Sequence, residues 1–85
     1  MHRLQEARKR TVGYKQSLKA VERGQALVVY VAKDGEDKNR LPILELCLQQ
    51  EVPCVEVETM LELGKVCGIQ VGASVAAILE DGNAG

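Results

Sequence analysis

Aromatic side chains are almost absent from this 85-residue chain: Tyr14 and Tyr30 are the only two, and there is no Phe or Trp. Nucleic-acid binders that stack bases on a protein platform need exposed rings, so that mode is excluded. The core must instead be built from Val, Leu, Ile, Ala and Met. Histidine is nearly absent too. His2 is the only one, and its simplest reading is an exposed side chain near the chain start. A nucleophile–His–acid arrangement therefore has no central base.

The cysteines, Cys47, Cys54 and Cys67, are odd in number and never closely spaced. Zinc sites draw thiolates from closely spaced pairs, so none is expected. Buried, reduced thiols in an intracellular, cytoplasmic protein are expected instead. No apolar run approaches the roughly 18 residues of a membrane span, and MHRLQEARKR lacks the apolar stretch of a signal peptide. Gly64, Gly68 and Gly72 are evenly spaced but follow a helix start rather than a strand, so they form no nucleotide fingerprint. Asp34, Glu36 and Asp37 cluster without the alternating ligand spacing of a calcium loop and read as a solvated acidic loop. No metal, cofactor or catalytic constellation is expected.

What is present is a strong charge asymmetry. The net charge is only -1. Residues 1–24, however, hold seven Lys or Arg against two Glu, whereas residues 25–85 hold four basic and ten acidic side chains. A basic segment joined to an acidic remainder marks a local electrostatic footprint. The hydrophobic fraction of 46% supports one folded domain, with residues 80–85 expected as a flexible tail.

Periodicity gives an order of elements. Leu4, Ala7 and Thr11 share one face of a short amphipathic helix, interrupted by Thr11, Val12 and Gly13. Tyr14, Leu18 and Val21 form the stripe of a second helix, which Gly24 stops. Ala26 to Ala32 reads as a central strand covered on both faces. Lys33 to Arg40 reads as a charged loop, and Pro42 fits the first turn of a helix running to about Gln50. Cys54 to Val57 is a short strand. Thr59 with Glu62 makes a capping box, starting a helix that Gly68 ends. Gly64 inside that helix should weaken it by about 1 kcal/mol relative to Ala, a choice that a close approach by a neighbouring element would explain. Ala73 to Leu79 is a last buried strand. This alternation predicts helices on both faces of one sheet, a three-layer α/β/α sandwich. There is no internal repeat.

The segment with chemistry is Gly13 to Lys19. A glycine turn feeds a helix start that carries Lys15 and Gln16, with Lys19 one turn on. Free amides at such a start accept phosphate oxygens. Lys donates to phosphate or to guanine O6, and Gln both donates and accepts at a base edge. An ordinary exposed helix start fits the composition equally well.

The residues from Gly13 to Gly24, then Val29-Tyr30-Val31-Ala32-Lys33-Asp34, then Pro42, Cys47 and Pro53, then Leu63-Gly64-Lys65-Val66-Cys67-Gly68, occur in one order and spacing. In this the chain resembles the L-seven-Ae and L-thirty-e ribosomal-protein family, whose members bind kink-turn RNA, and is most similar to its short bacterial homologues. The resemblance covers about Thr11 to Leu79. It implies a mixed sheet of about four strands and binding without catalysis. It gives the RNA-contacting helix start to Gly13, Tyr14, Lys15, Gln16 and Lys19. It gives further RNA contacts to Lys33, at the end of the first long strand, and to Glu58, Thr59, Met60 and Leu61, before the late helix. Archaeal-type members carry Asn-Glu where this chain has Lys15-Gln16. The implied partner is a structured RNA with tandem G·A pairs, ribosomal RNA among the options, bound by a monomer with no membrane involved. A protein-interaction or scaffolding domain, using the acidic segment from Asp34 to Glu62, is the alternative.

Overall fold

A computed structural model describes residues 2–80. The expected tail beyond Glu80 and the side chain of His2 lie outside the described residues. The elements are α1 (His2–Glu6), β1 (Lys9–Val12), α2 (Tyr14–Glu22), β2 (Val28–Ala32), α3 (Asp37–Gln50), β3 (Cys54–Val57), α4 (Met60–Val66) and β4 (Val75–Glu80). Glu80, grouped by its sequence with the tail, closes β4.

Five buried residues in a row, Val28 to Ala32, make β2 a central strand. The sheet order is β1-β4-β2-β3, with β2 parallel to β3 and antiparallel to β4, and β1 antiparallel to β4. Period-two alternation sends β2 side chains to opposite faces. Val28, Tyr30 and Ala32 pack with Leu4, Leu63 and Cys67 under α1 and α4. Val29 and Val31 pack with Val21, Ile43 and Cys47 under α2 and α3. The three-layer sandwich and its mixed four-stranded sheet therefore match the expectation.

Two local expectations need correction. Residues 9–12, expected to continue and then interrupt the first helix, form edge strand β1. Lys-Arg-Thr-Val carries too little apolar character to announce a strand. It pairs on one side only, with β4, and its ladder shifts register between Lys9 and Arg10. The charged stretch 37–40, expected as loop, is the first turn of α3, so Pro42 is the sixth helical residue rather than part of the first turn. Asp37 suits the positive end of that helix, and polar residues there reflect solvent exposure, not the absence of a helix.

Arg10, counted among the basic N-terminal residues, is a structural tie. Its guanidinium donates to the carbonyls of Leu4 at 3.1 Å and Cys67 at 2.9 Å. It thereby satisfies carbonyls at the ends of α1 and α4 together. Arg10→Ala is expected to lower stability by about 2 kcal/mol, since charged hydrogen bonds of this kind contribute roughly 1.5–3 kcal/mol. Urea denaturation checks this; a loss below about 0.5 kcal/mol would remove the assigned role.

Candidate nucleic-acid interface

The strand pairings bring four segments to one end of the sheet. Gly13 donates its N–H to the Val75 carbonyl at 2.8 Å, at the end of β1. Ala32 donates to Ser74 at 2.9 Å, and Lys33 donates to Val57 at 2.7 Å. The start of α2, Lys33 and the loop from Glu58 therefore share one rim. With neighbouring strands about 4.8 Å apart, three spacings give the rim a width of roughly 14 Å.

The α2 half of the rim is a donor surface. Gly13 is the N-cap, at φ 105 and ψ 156, a conformation essentially confined to glycine. Among the described residues, no side chain caps the helix. The first amides of an α-helix have no intrahelical acceptor, so these point outward. Lys15 and Gln16 are exposed beside them. Tyr14 is half-buried and packs against the α2/α3 core. Ser17 is fully buried, and its hydroxyl lies 2.8 Å from the Thr11 hydroxyl, which fixes the first turn of α2 on β1. Lys19 sits further from the rim. It lines a shallow groove on the β1 side with Thr11, Gln16 and Arg23.

The other half has opposite character. Asp34 Oδ1 accepts the Met60 N–H at 2.7 Å, and the Thr59 hydroxyl accepts the Glu62 N–H at 3.1 Å. The N-terminus of α4 is thus capped from within, as the capping box predicts for Thr59. Lys33 is exposed, but Glu58 holds it in a salt bridge at 3.1 Å. That hydrogen bond, with the charge of the same carboxylate, raises the Lys33 pKa above its ordinary value. The cation expected here is therefore paired, and Glu58, expected as a contact, is its partner. Met60 is half-buried against the core, whereas Leu61 is 56% exposed.

The rim holds one side chain that sequence reasoning missed. Gly64 lies under the loop after α4: a Cβ there would collide with the Val71 carbonyl oxygen and lie 3.3 Å from the Gly72 Cα. Ala73 donates to the Met60 carbonyl at 3.0 Å, closing the same loop onto the start of α4. Val71 is left 69% exposed. Gly64 was the available signal, since it announced a close approach without naming the partner.

The remaining candidate chemistries are occupied structurally. Glu36 pairs with Lys38 at 3.1 Å and Asp37 with Arg40 at 2.9 Å, so the acidic loop is engaged by protein groups. Burial pushes the Cys54 thiol up to about 12 and raises Cys47 and Cys67 as well, which disfavours the thiolate needed for nucleophilic or ligand chemistry.

The chain is similar to an RNA-binding protein of Caldanaerobacter subterraneus, 48% identical over 69 residues that cover 81% of this chain and 84% of that protein. It is also similar to the RNA-binding protein YbxF of Geobacillus stearothermophilus, 41% identical over 78 residues covering 87% and 90%. Among solved structures, a 15.5 kD RNA-binding protein of Giardia lamblia superposes with a TM-score of 0.81 at 28% identity, covering 91% of this chain and 68% of that one. The model of the ribosomal protein L7Ae/L30e/S12e/Gadd45 family matches residues 1–85. With that match and those identities, the chain belongs to the ribosomal protein L7Ae/L30e/S12e/Gadd45 family.

Proposed function

We propose that this protein binds kink-turned RNA at the sheet rim, by recognition and without catalysis. The observation that carries the reading is the uncapped α2 start, opened by Gly13 and flanked by exposed Lys15 and Gln16. The names of the similar proteins, RNA-binding in each case, support it. The α2 amides meet phosphates, Lys15 and Gln16 read base edges near tandem G·A pairs, and Lys19 follows the backbone along the groove. The acidic half of the rim cannot attract phosphate. It contributes through Leu61 and Val71, apolar side chains suited to an unstacked base. The protein acts as a cytoplasmic monomer, and ribosomal RNA is the first natural partner to test.

Titration of a labelled kink-turn RNA beside a version without its tandem G·A pairs tests the reading. Tight binding to the intact motif alone is expected. Equal binding to both would reject kink-turn recognition.

Glu58 opposes phosphate and occupies Lys33. Ion pairs this exposed are weak, so Lys33 is readily released. Glu58→Gln should strengthen RNA binding about two- to fivefold. Unchanged binding would leave Lys33 and Glu58 outside the contact surface, and weaker binding would make the Glu58 carboxylate itself an RNA contact.

A further inference from the structure

Helix α3 is apolar on both sides. Ile43 and Cys47 are buried against the sheet and α2. On the outer side, Leu41 is 54% and Leu48 81% exposed, and between them lies Leu44, half-buried and packed in part against the core. Single exposed leucines are common and mean little. These three fall at i, i+3 and i+7, one stripe about 10 Å long with the spacing of an open heptad seam. That spacing is the anchor pattern of helix-to-helix docking.

The surroundings of the seam are acidic. Glu45 lies between the two exposed leucines, Glu51 follows one turn after Leu48, and both are exposed. There is no Lys or Arg from Leu41 to Thr59. The preceding cations, Lys38 and Arg40, are paired with Glu36 and Asp37. We infer that this face of α3 docks an amphipathic helix of a protein partner, with leucine-type anchors flanked by Lys or Arg. Charge decides the occupant. Run parallel, a second copy meeting the same stripe would set Glu45 against Glu45 and Glu51 against Glu51; run antiparallel, it would bring only Lys38, already held by Glu36, towards Glu51, whereas a basic helix complements both carboxylates.

The site is separate from the rim. Helix α3 leaves the rim after β2, and Leu48 lies eleven residues past Asp37, about 16 Å along the helix axis. RNA and a basic partner can therefore be held together.

The test uses the whole isotope-labelled protein and a synthetic helix of about 18 residues, bearing a leucine seam flanked by lysines. The same helix with glutamates replacing the lysines is the control. The lysine helix should bind at least about tenfold more tightly, with NMR shift changes centred on residues 41–51. Leu48→Lys should weaken that binding about tenfold or more and leave kink-turn RNA affinity unchanged. Because Leu48 is exposed, that substitution leaves the core intact. Equal binding of the two helices overturns the inference, as does undiminished binding to both the Leu48→Lys and Leu41→Lys variants. A dimer in sedimentation equilibrium that Leu48→Lys dissolves also overturns it, since the seam would then belong to a second copy.

Discussion

Gly64→Ala is expected to lower folding stability by about 3 kcal/mol or more, at the upper end of overpacking effects. The added methyl would collide with the Val71 carbonyl oxygen and sit 3.2 Å from the Val71 carbonyl carbon. Those are backbone atoms, so no side chain can rotate out of the way. The loop itself is held: Ile69 donates to the Gly64 carbonyl at 3.0 Å and Ala73 to the Met60 carbonyl at 3.0 Å. Relief would break these bonds and disturb Leu63 and Cys67, both in the core beneath. In a small domain with roughly 5 kcal/mol of total stability, such a loss leaves the fold marginal. Thermal unfolding should shift by 12 °C or more, at about 4–8 °C per kcal/mol for a domain of this size. A shift under about 4 °C would mean that the loop after α4 moves freely and that Val71 has no fixed place on the rim.

Lys15→Ala should weaken kink-turn RNA binding by about 10- to 100-fold, a loss of roughly 1–3 kcal/mol. Lys15 is exposed at the first turn of α2, so its removal creates no cavity and thermal stability should stay near wild type. Lys19→Ala should act in the same direction but less strongly, because Lys19 lies down the groove rather than on the rim. The two differ in what they read. A phosphate contact weakens all RNAs alike and reduces the salt slope of log K by about one, while a base contact also narrows the gap between the intact motif and its G·A-less version. Full affinity in both variants would remove α2 from the interface, whatever the fate of the α3 seam.

Much of this was legible in the residues. The β-branched run at Val28–Ala32 gives a central strand because only a strand covered on both faces can be apolar at every position. Thr59 with Glu62 places the start of α4, and Gly13 followed by Lys15 and Gln16 marks the open helix start. Edge strand β1 was not legible. Its ladder partner is Ile78, Ala77 and Ala76, more than sixty residues away, and three of its four side chains are polar. The first turn of α3 was hidden by its charge.

Near neighbours along the chain specify the local elements, the two-faced core and the basic character of the first 24 residues, because helix period, strand alternation and capping act at short range. Which charges are engaged and which stay open depends on contacts between distant segments. Arg10 is spent on the ends of α1 and α4, and Lys33 is held by Glu58 twenty-five residues on. The α4 start is filled by Asp34, twenty-six residues before it, while the α2 start stays open. Range is the cause: a hydrogen bond or ion pair is fixed within a few ångströms in space, and the register of β1 on β4, β4 on β2 and β2 on β3 sets those distances.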